Sequence, residues 1–215
     1  SHYLFVVDQT YSRILIFDKA DRITNGQPAF AVIGQGTFDF GSANRTNPAP
    51  YAESLHSPAD LFVDERGDLY VADYGNNRVL VFLDPLATDF AADSVFGQNN
   101  SFTSRTANLG GIGPSSLRGP LSVAVDLERN VYVADALNNR VLIFFDPLNT
   151  DLAADRVLGQ GDSFASSAAN PGGVSAGSFN QPYRLRLDPS GNLYVTDINN
   201  SRGLIFNSPL EDDGV

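Results

Sequence analysis

Residues 69–82 read LYVADYGNNRVLVF, and residues 131–144 read VYVADALNNRVLIF. The string returns at 193–206 as LYVTDINNSRGLIF and, more loosely, at 4–17 as LFVVDQTYSRILIF. Its anchor aspartates, Asp8, Asp73, Asp135 and Asp197, are spaced by 65, 62 and 62 residues. A second landmark keeps the same period: Gly34-Gln35, Gly97-Gln98 and Gly159-Gln160 are spaced by 63 and 62. Two landmarks with one period define an internal repeat, and a repeat governs how everything else in a chain is read.

Within one period the apolar residues fall in short β-rich runs. Leu61-Phe62-Val63 follows Pro58, Leu69 to Ala72 is a second run, Arg78 to Leu83 alternates valines with Phe82, and Ser94-Val95-Phe96 precedes Gly97-Gln98. The links hold Gly, Asn and Asp, the residues that turns require. No segment sustains a helical period. Four short antiparallel strands per repeat describe one blade of a β-propeller, so an all-β fold is expected.

The order of residues within each copy resembles the NHL repeat family. The second copy has Pro58, Val63-Asp64, Gly67-Asp68, Tyr70 to Asp73 and Asn76 to Val79. The third has Pro120, Val125-Asp126, Arg129-Asn130, Tyr132 to Asp135 and Asn138 to Val141. The fourth keeps Pro182, Leu187-Asp188, Gly191-Asn192, Tyr194 to Asp197, Asn200 and Arg202, but has Ser201 and Gly203 where the others have Asn and Val. The first keeps Asp8 and Arg13, with Tyr11-Ser12 in place of the Asn pair. The resemblance implies a β-propeller and no particular activity, because one fold hosts many functions.

One domain over 1–215 is expected, with repeats at 1–54, 55–116, 117–178 and 179–215. The first copy opens at its second strand, and the last ends just past its third, before an acidic tail. The expected fold is therefore a four-bladed propeller of NHL-type repeats with incomplete first and last blades. The alternative is part of a six-bladed or larger propeller. With no Met in the sequence and both ends falling inside a blade, the chain is expected to be a piece of a longer polypeptide.

The Asp and Arg of each copy lie five residues apart, across the turn between second and third strands. Asp8–Arg13, Asp73–Arg78, Asp135–Arg140 and Asp197–Arg202 are read as structural turn clamps. Asp after a strand accepts backbone N–H groups, and the Arg fork reaches carboxylates and carbonyls. A binding site seldom needs the same residue in every repeat. The same reasoning covers Asp64, Asp126 and Asp188, a cation held near the axis by these carboxylates being the alternative. After Gly-Gln, residues 97–120 and 159–182 keep equal length and register, with Phe102 matching Phe164 and Asn108 matching Asn170. An ordered loop whose Phe docks on its own blade is expected. His56 sits where later copies have Arg118 and Asn180, which reads as a surface position.

Composition narrows the chemistry. There is no Cys, hence no disulfide, thiolate metal site or cysteine nucleophile. Two histidines, His2 and His56, do not make a His-rich metal centre. A formal charge of −11 argues against nucleic acid or an anionic membrane as partner, and no apolar run is long enough for membrane insertion. No catalytic, cofactor-binding or metal residue is expected. The reading is a non-catalytic structural or interaction propeller, extracellular or at the cell surface, a unit of a larger repetitive protein or filament assembled through open blade edges. Its partners would be copies of itself or adjoining repeats of the same polypeptide. The candidate interface is Tyr3, Leu4, Phe5, Leu204, Ile205 and Phe206 on the end strands, with Phe102 and Phe164 in the loops. Two alternatives are a soluble propeller that binds a protein or glycan through its long loops, and an enzyme resembling propeller lyases or sugar-lactone hydrolases. The second lacks the histidines such a centre would need.

Overall fold

The computed structural model describes residues 2–18 and 24–210; the acidic tail at 211–215 lies outside the described residues. Among the described residues, fourteen strands form four antiparallel sheets, each a simple meander. The first blade holds β1 (Tyr3–Asp8), β2 (Arg13–Asp18) and β3 (Ala31–Ile33). The second holds β4 (Asp60–Val63), β5 (Leu69–Asp73), β6 (Arg78–Phe82) and β7 (Ser94–Phe96). The third holds β8 (Pro120–Val125), β9 (Val131–Asp135), β10 (Arg140–Phe144) and β11 (Arg156–Leu158). The fourth holds β12 (Pro182–Leu187), β13 (Leu193–Asp197) and β14 (Arg202–Phe206). Among the described residues the first blade has no strand in the innermost place and the fourth none in the outermost, as the repeat count implies.

Each second-third strand hairpin is closed by its Asp and Arg standing opposite one another, as in Asp73↔Arg78 and Asp135↔Arg140. A single 3-10 turn, Tyr74–Asn76 or Ala136–Asn138, carries the chain across, and the next residue takes the left-handed conformation (Asn77 and Asn139, both φ 54°). Asn tolerates that region better than most L-residues, because its short polar side chain bonds locally. Ser12 and Ser201 adopt it at the corresponding places of the outer blades.

The core consists of three apolar layers, one between each pair of consecutive blades. Leu69, Val71, Leu80, Phe82 and Val95 of the second blade face the first, with Ile14, Ile16 and Ile33 opposite. Tyr70, Ala72, Val79, Val81 and Phe96 face the third blade, where Phe96 and Phe144 meet edge to face at 5.0 Å. A sheet buried on both faces has apolar residues at successive positions, which is why the inner-blade strands read as continuous apolar runs. Among the described residues, no apolar cluster joins the first blade to the fourth.

The Gly-Gln landmark has a steric cause. Gly34, Gly97 and Gly159 all have φ near +90° (92°, 89° and 96°). A Cβ there would stand 2.7 Å from Leu55, 2.7 Å from Leu117 and 2.2 Å from Phe179, each an apolar side chain of the following repeat. Glycine is therefore required for backbone conformation and for close approach. Gly159→Ala is expected to destabilise the fold by on the order of 2 kcal/mol or more. Ile205→Ala, on the outward face of the last blade, should stay within about 0.5 kcal/mol. Urea denaturation followed by circular dichroism measures both.

Candidate functional site

Each inner blade places one guanidinium at the centre of a closed network. Arg78 and Arg140 are fully buried, as are Asp73 and Asp135. Arg140 donates through Nε to Asp135 (2.7 Å), through Nη1 to the Phe164 carbonyl (2.6 Å), and through Nη2 to the carbonyls of Gly113 and Ser116 (3.0 and 2.9 Å). Arg78 repeats the pattern on Asp73, Phe102, Tyr51 and Ser54. The other oxygen of each Asp accepts the main-chain N–H of His56, Arg118 or Asn180, which pins the segment entering the innermost strand. Desolvation by burial pushes the Asp73 and Asp135 carboxyls up, while Arg78 and Arg140 pull them down. In the first blade the pair is Arg13 with Asp8 at 2.8 Å, and in the fourth Arg202 with Asp197 at 2.8 Å.

The Asn pair links repeats, a role that the sequence reading did not assign. Its first member points backwards. Asn76 and Asn44 exchange side-chain amide bonds (2.8 and 3.0 Å), as do Asn138 with Asn108 and Asn200 with Asn170. Each first Asn also donates to the clamp carboxylate. Its second member points forwards. Asn77 donates to the Arg105 carbonyl and accepts from Gly119 N, and Asn139 does the same with Ser167 and Gln181. Gln98 and Gln160 fold the long loop back, bridging these Asn carbonyls to Thr106 and Ala168. The loops are thus ordered. Phe102 and Phe164 pack partly buried against the inter-blade layers, and Phe164 also lines a surface cavity beside Ile205 and Phe206.

The end-strand candidates divide by strand parity. Tyr3 and Phe5 pack on the layer shared with the second blade, and Leu204 and Phe206 on the layer shared with the third. Leu4 and Ile205 face outwards, 37% and 59% exposed. Successive residues of a strand point to opposite faces, so an edge strand cannot present all of its apolar side chains on one side. His56 is another correction. It is half-buried, with its ring packed so tightly on Gly75 that a Cβ there would stand 2.5 Å away.

A polar cluster on the innermost strands also escaped the sequence reading. Asp60, Ser122 and Arg184 occupy equivalent positions in β4, β8 and β12, exactly one period of 62 apart. These strands pack against one another where the blades converge. Asp60 is buried and accepts the Ser122 hydroxyl at 2.5 Å. The Arg184 guanidinium lies 3.3 Å and that of Arg186 3.5 Å from the same carboxylate. Arg184 also donates to the carbonyls of Ala59 and Leu121, so it spans three blades. The available signal was difference: aligned copies that agree elsewhere carry an acid, a hydroxyl and a base here.

A smaller break in the repeat lies at the outer turns. Asp126 and Asp188 each take an Asn amide and a Tyr hydroxyl on one oxygen. In the second blade Asp68 replaces that Asn. Arg129, left-handed at φ 69° where other copies have Gly67 and Gly191, brings its guanidinium to 3.7 Å from Asp68. Burial, reinforced by the charge of Asp64, pushes the Tyr70 phenol up to about 12.

Fold and clamps together define an arc of β-propeller blades. One of those blades has a family match: residues 55–82 match the NHL repeat model. The chain is 33% identical over 91 residues to NHL repeat-containing protein 3 of Homo sapiens, covering 41% of this chain and 22% of that protein. It is 28% identical over 157 residues to the Mus musculus protein of the same name, covering 71% and 36%. The chain thus spans well under half the length of these relatives. Among solved structures it resembles hydrazine synthase of Kuenenia stuttgartiensis (TM-score 0.52, 11% identity, 96% of this chain and 46% of that one). It also resembles a structural genomics protein from Bacteroides thetaiotaomicron (TM-score 0.54, 16% identity, 95% and 45%). At such identities these likenesses concern the fold alone.

Arg140→Met removes four hydrogen bonds and leaves a buried carboxylate without its counter-charge, which should cost about 3–5 kcal/mol. Arg13→Met in the partly exposed clamp of the first blade should cost clearly less. Paired urea denaturation curves of the two variants against the parent measure the contrast.

Proposed function

We propose that this chain is a non-catalytic interaction propeller, a unit of a larger assembly whose first and last blades stack head to tail on those of a second copy. One observation carries this reading. On the outward face of the first blade, Leu4, Val6, Leu15, Phe17 and Val32 hold the places at which Leu69, Val71, Leu80, Phe82 and Val95 are covered in the second. On the outward face of the last blade, Tyr194 and Ile205 hold the places of Tyr132 and Ile143, which are buried against their neighbour. The two faces are opposite halves of an interface used three times inside the chain. Contiguous exposed apolar surface of this kind marks an association site.

Because the halves differ, the contact is heterologous. It closes into a ring if the rotation permits and otherwise runs on as a filament. Among the described residues β1 pairs only with β2 and β14 only with β13, so each end sheet also has a strand at its edge, a second means of association by strand addition.

Sedimentation velocity of the full chain tests this. The expected result is a mass above the monomer's that falls on dilution, and a monomer for the Leu4→Asp, Val6→Asp double variant with an unchanged circular dichroism spectrum. A parent chain that stays monomeric into the high micromolar range, or a double variant that associates as the parent does, overturns the proposal.

A further inference from the structure

We propose that Arg184 and Arg186, at the convergence of the innermost strands, form a binding site for a small monocarboxylate. The inference is independent of how the end blades associate. Structural clamps in this chain recur in every blade with the same residues. A ligand shared by several blades asks something different of each, and this is where the copies diverge: Asp60, Ser122 and Arg184 at one aligned position, Phe62, Ala124 and Arg186 two residues on.

The charge count identifies the ligand class. Asp60 is the one carboxylate in ion-pair range of the two guanidinium groups among the described residues, at 3.3 and 3.5 Å, and the Ser122 hydroxyl occupies one of its oxygens. Within ion-pair range, one negative charge stands against two positive, in a chain whose formal charge is −11; the cavity that Arg186 lines also holds Asp64, Glu65, Asp126, Glu128 and Asp188, which would repel a dianion more than a monoanion. A monoanion matches the one guanidinium charge that Asp60 leaves unpaired, whereas a dianionic phosphate would set its second charge against buried Asp60 and these carboxylates.

The donors are also unspent. Every hydrogen bond that Arg184 and Arg186 make through their side chains uses Nη1, and their Nε and Nη2 atoms take no protein acceptor among the described residues. Nε and Nη2 together form the edge that grips a carboxylate through two parallel bonds. Both side chains are open to solvent, 36% and 65% exposed. The Arg184 guanidinium lies over the Tyr183 ring at 5.1 Å, and that part-exposed ring offers a flat apolar face to the body of a ligand. An aromatic or otherwise planar monocarboxylate suits this arrangement best.

Isothermal titration of the full chain with sodium benzoate tests the site, with inorganic phosphate and benzamide as companion probes. Saturable benzoate binding is expected, at least about tenfold tighter than either companion. Arg186→Gln should weaken benzoate binding by about tenfold or more, and Arg186→Lys by less, since Lys keeps the charge but not the fork. Arg186 is mostly exposed and holds no clamp, so both variants should keep the parent's melting temperature, which is measured alongside. Absence of saturable benzoate binding, phosphate or benzamide binding as tight as benzoate, or an Arg186→Gln variant that binds as the parent does would overturn the assignment.

Discussion

A guanidinium withdrawn from water is costly unless every donor finds an acceptor and its charge is matched. In each inner blade the matching groups come from three directions: the Asp across the hairpin, carbonyls of the loop that arrives from the preceding blade, and the carbonyl of a Phe in the loop that leaves. Arg140 can be buried only if the hairpin and both loops are in place together. The ion pair therefore ties local structure to the repeat-to-repeat path of the chain. The adjoining Asn residues extend the same network into both neighbours, backwards through Asn108 and forwards through Gly119-type N–H groups. Inter-blade apolar layers supply most of the burial, but these polar links set the spacing at which the layers stack.

How much of this was legible in the sequence depends on the distance each residue acts over. Strand positions and the Asp–Arg pairing are local facts, carried by short apolar runs and a five-residue spacing across the hairpin, and the number of repeats follows from the period. The Asn pair was visible as a motif but not as a link, because Asn44 meets Asn76 and Asn77 meets Gly119 across 32 and 42 residues. A repeat hides such contacts, since any copy could in principle bond to any other. The end strands show a different limit. Tyr3, Leu4 and Phe5 are consecutive, and all look equally apolar on paper. Only the pleat sends Leu4 outwards while its neighbours enter the core.

Repetition also changes what counts as a signal of function. Asp73, Asp135 and Arg140 would be striking residues in a non-repeating chain, buried, charged and paired, yet their recurrence in every blade marks them as scaffold. Asp60, Ser122 and Arg184 carry less obvious motifs, and it is their disagreement at one aligned position that sets them apart. The axial cluster joins three blades through one arginine, so the place where the copies differ is also where they converge.

The same comparison bears on the ends of the arc. A junction of the last blade with a first blade would place Ser201 where the forward-pointing Asn stands in the inner blades, and Tyr11 where the backward-pointing Asn stands. Both halves of the amide latch are thus missing at that one junction, while Asn200 and Ser12 still make the links that face inwards. Apolar stacking without the latch has the driving force of the internal layers but not their polar positioning. Gly203 and Thr196 weaken it further, since they stand where Val141 and Ala134 pack in the third blade. Blades within the chain are therefore held together more firmly than the end blades could hold a neighbour. Association through the ends would be reversible at concentrations where the arc itself stays intact.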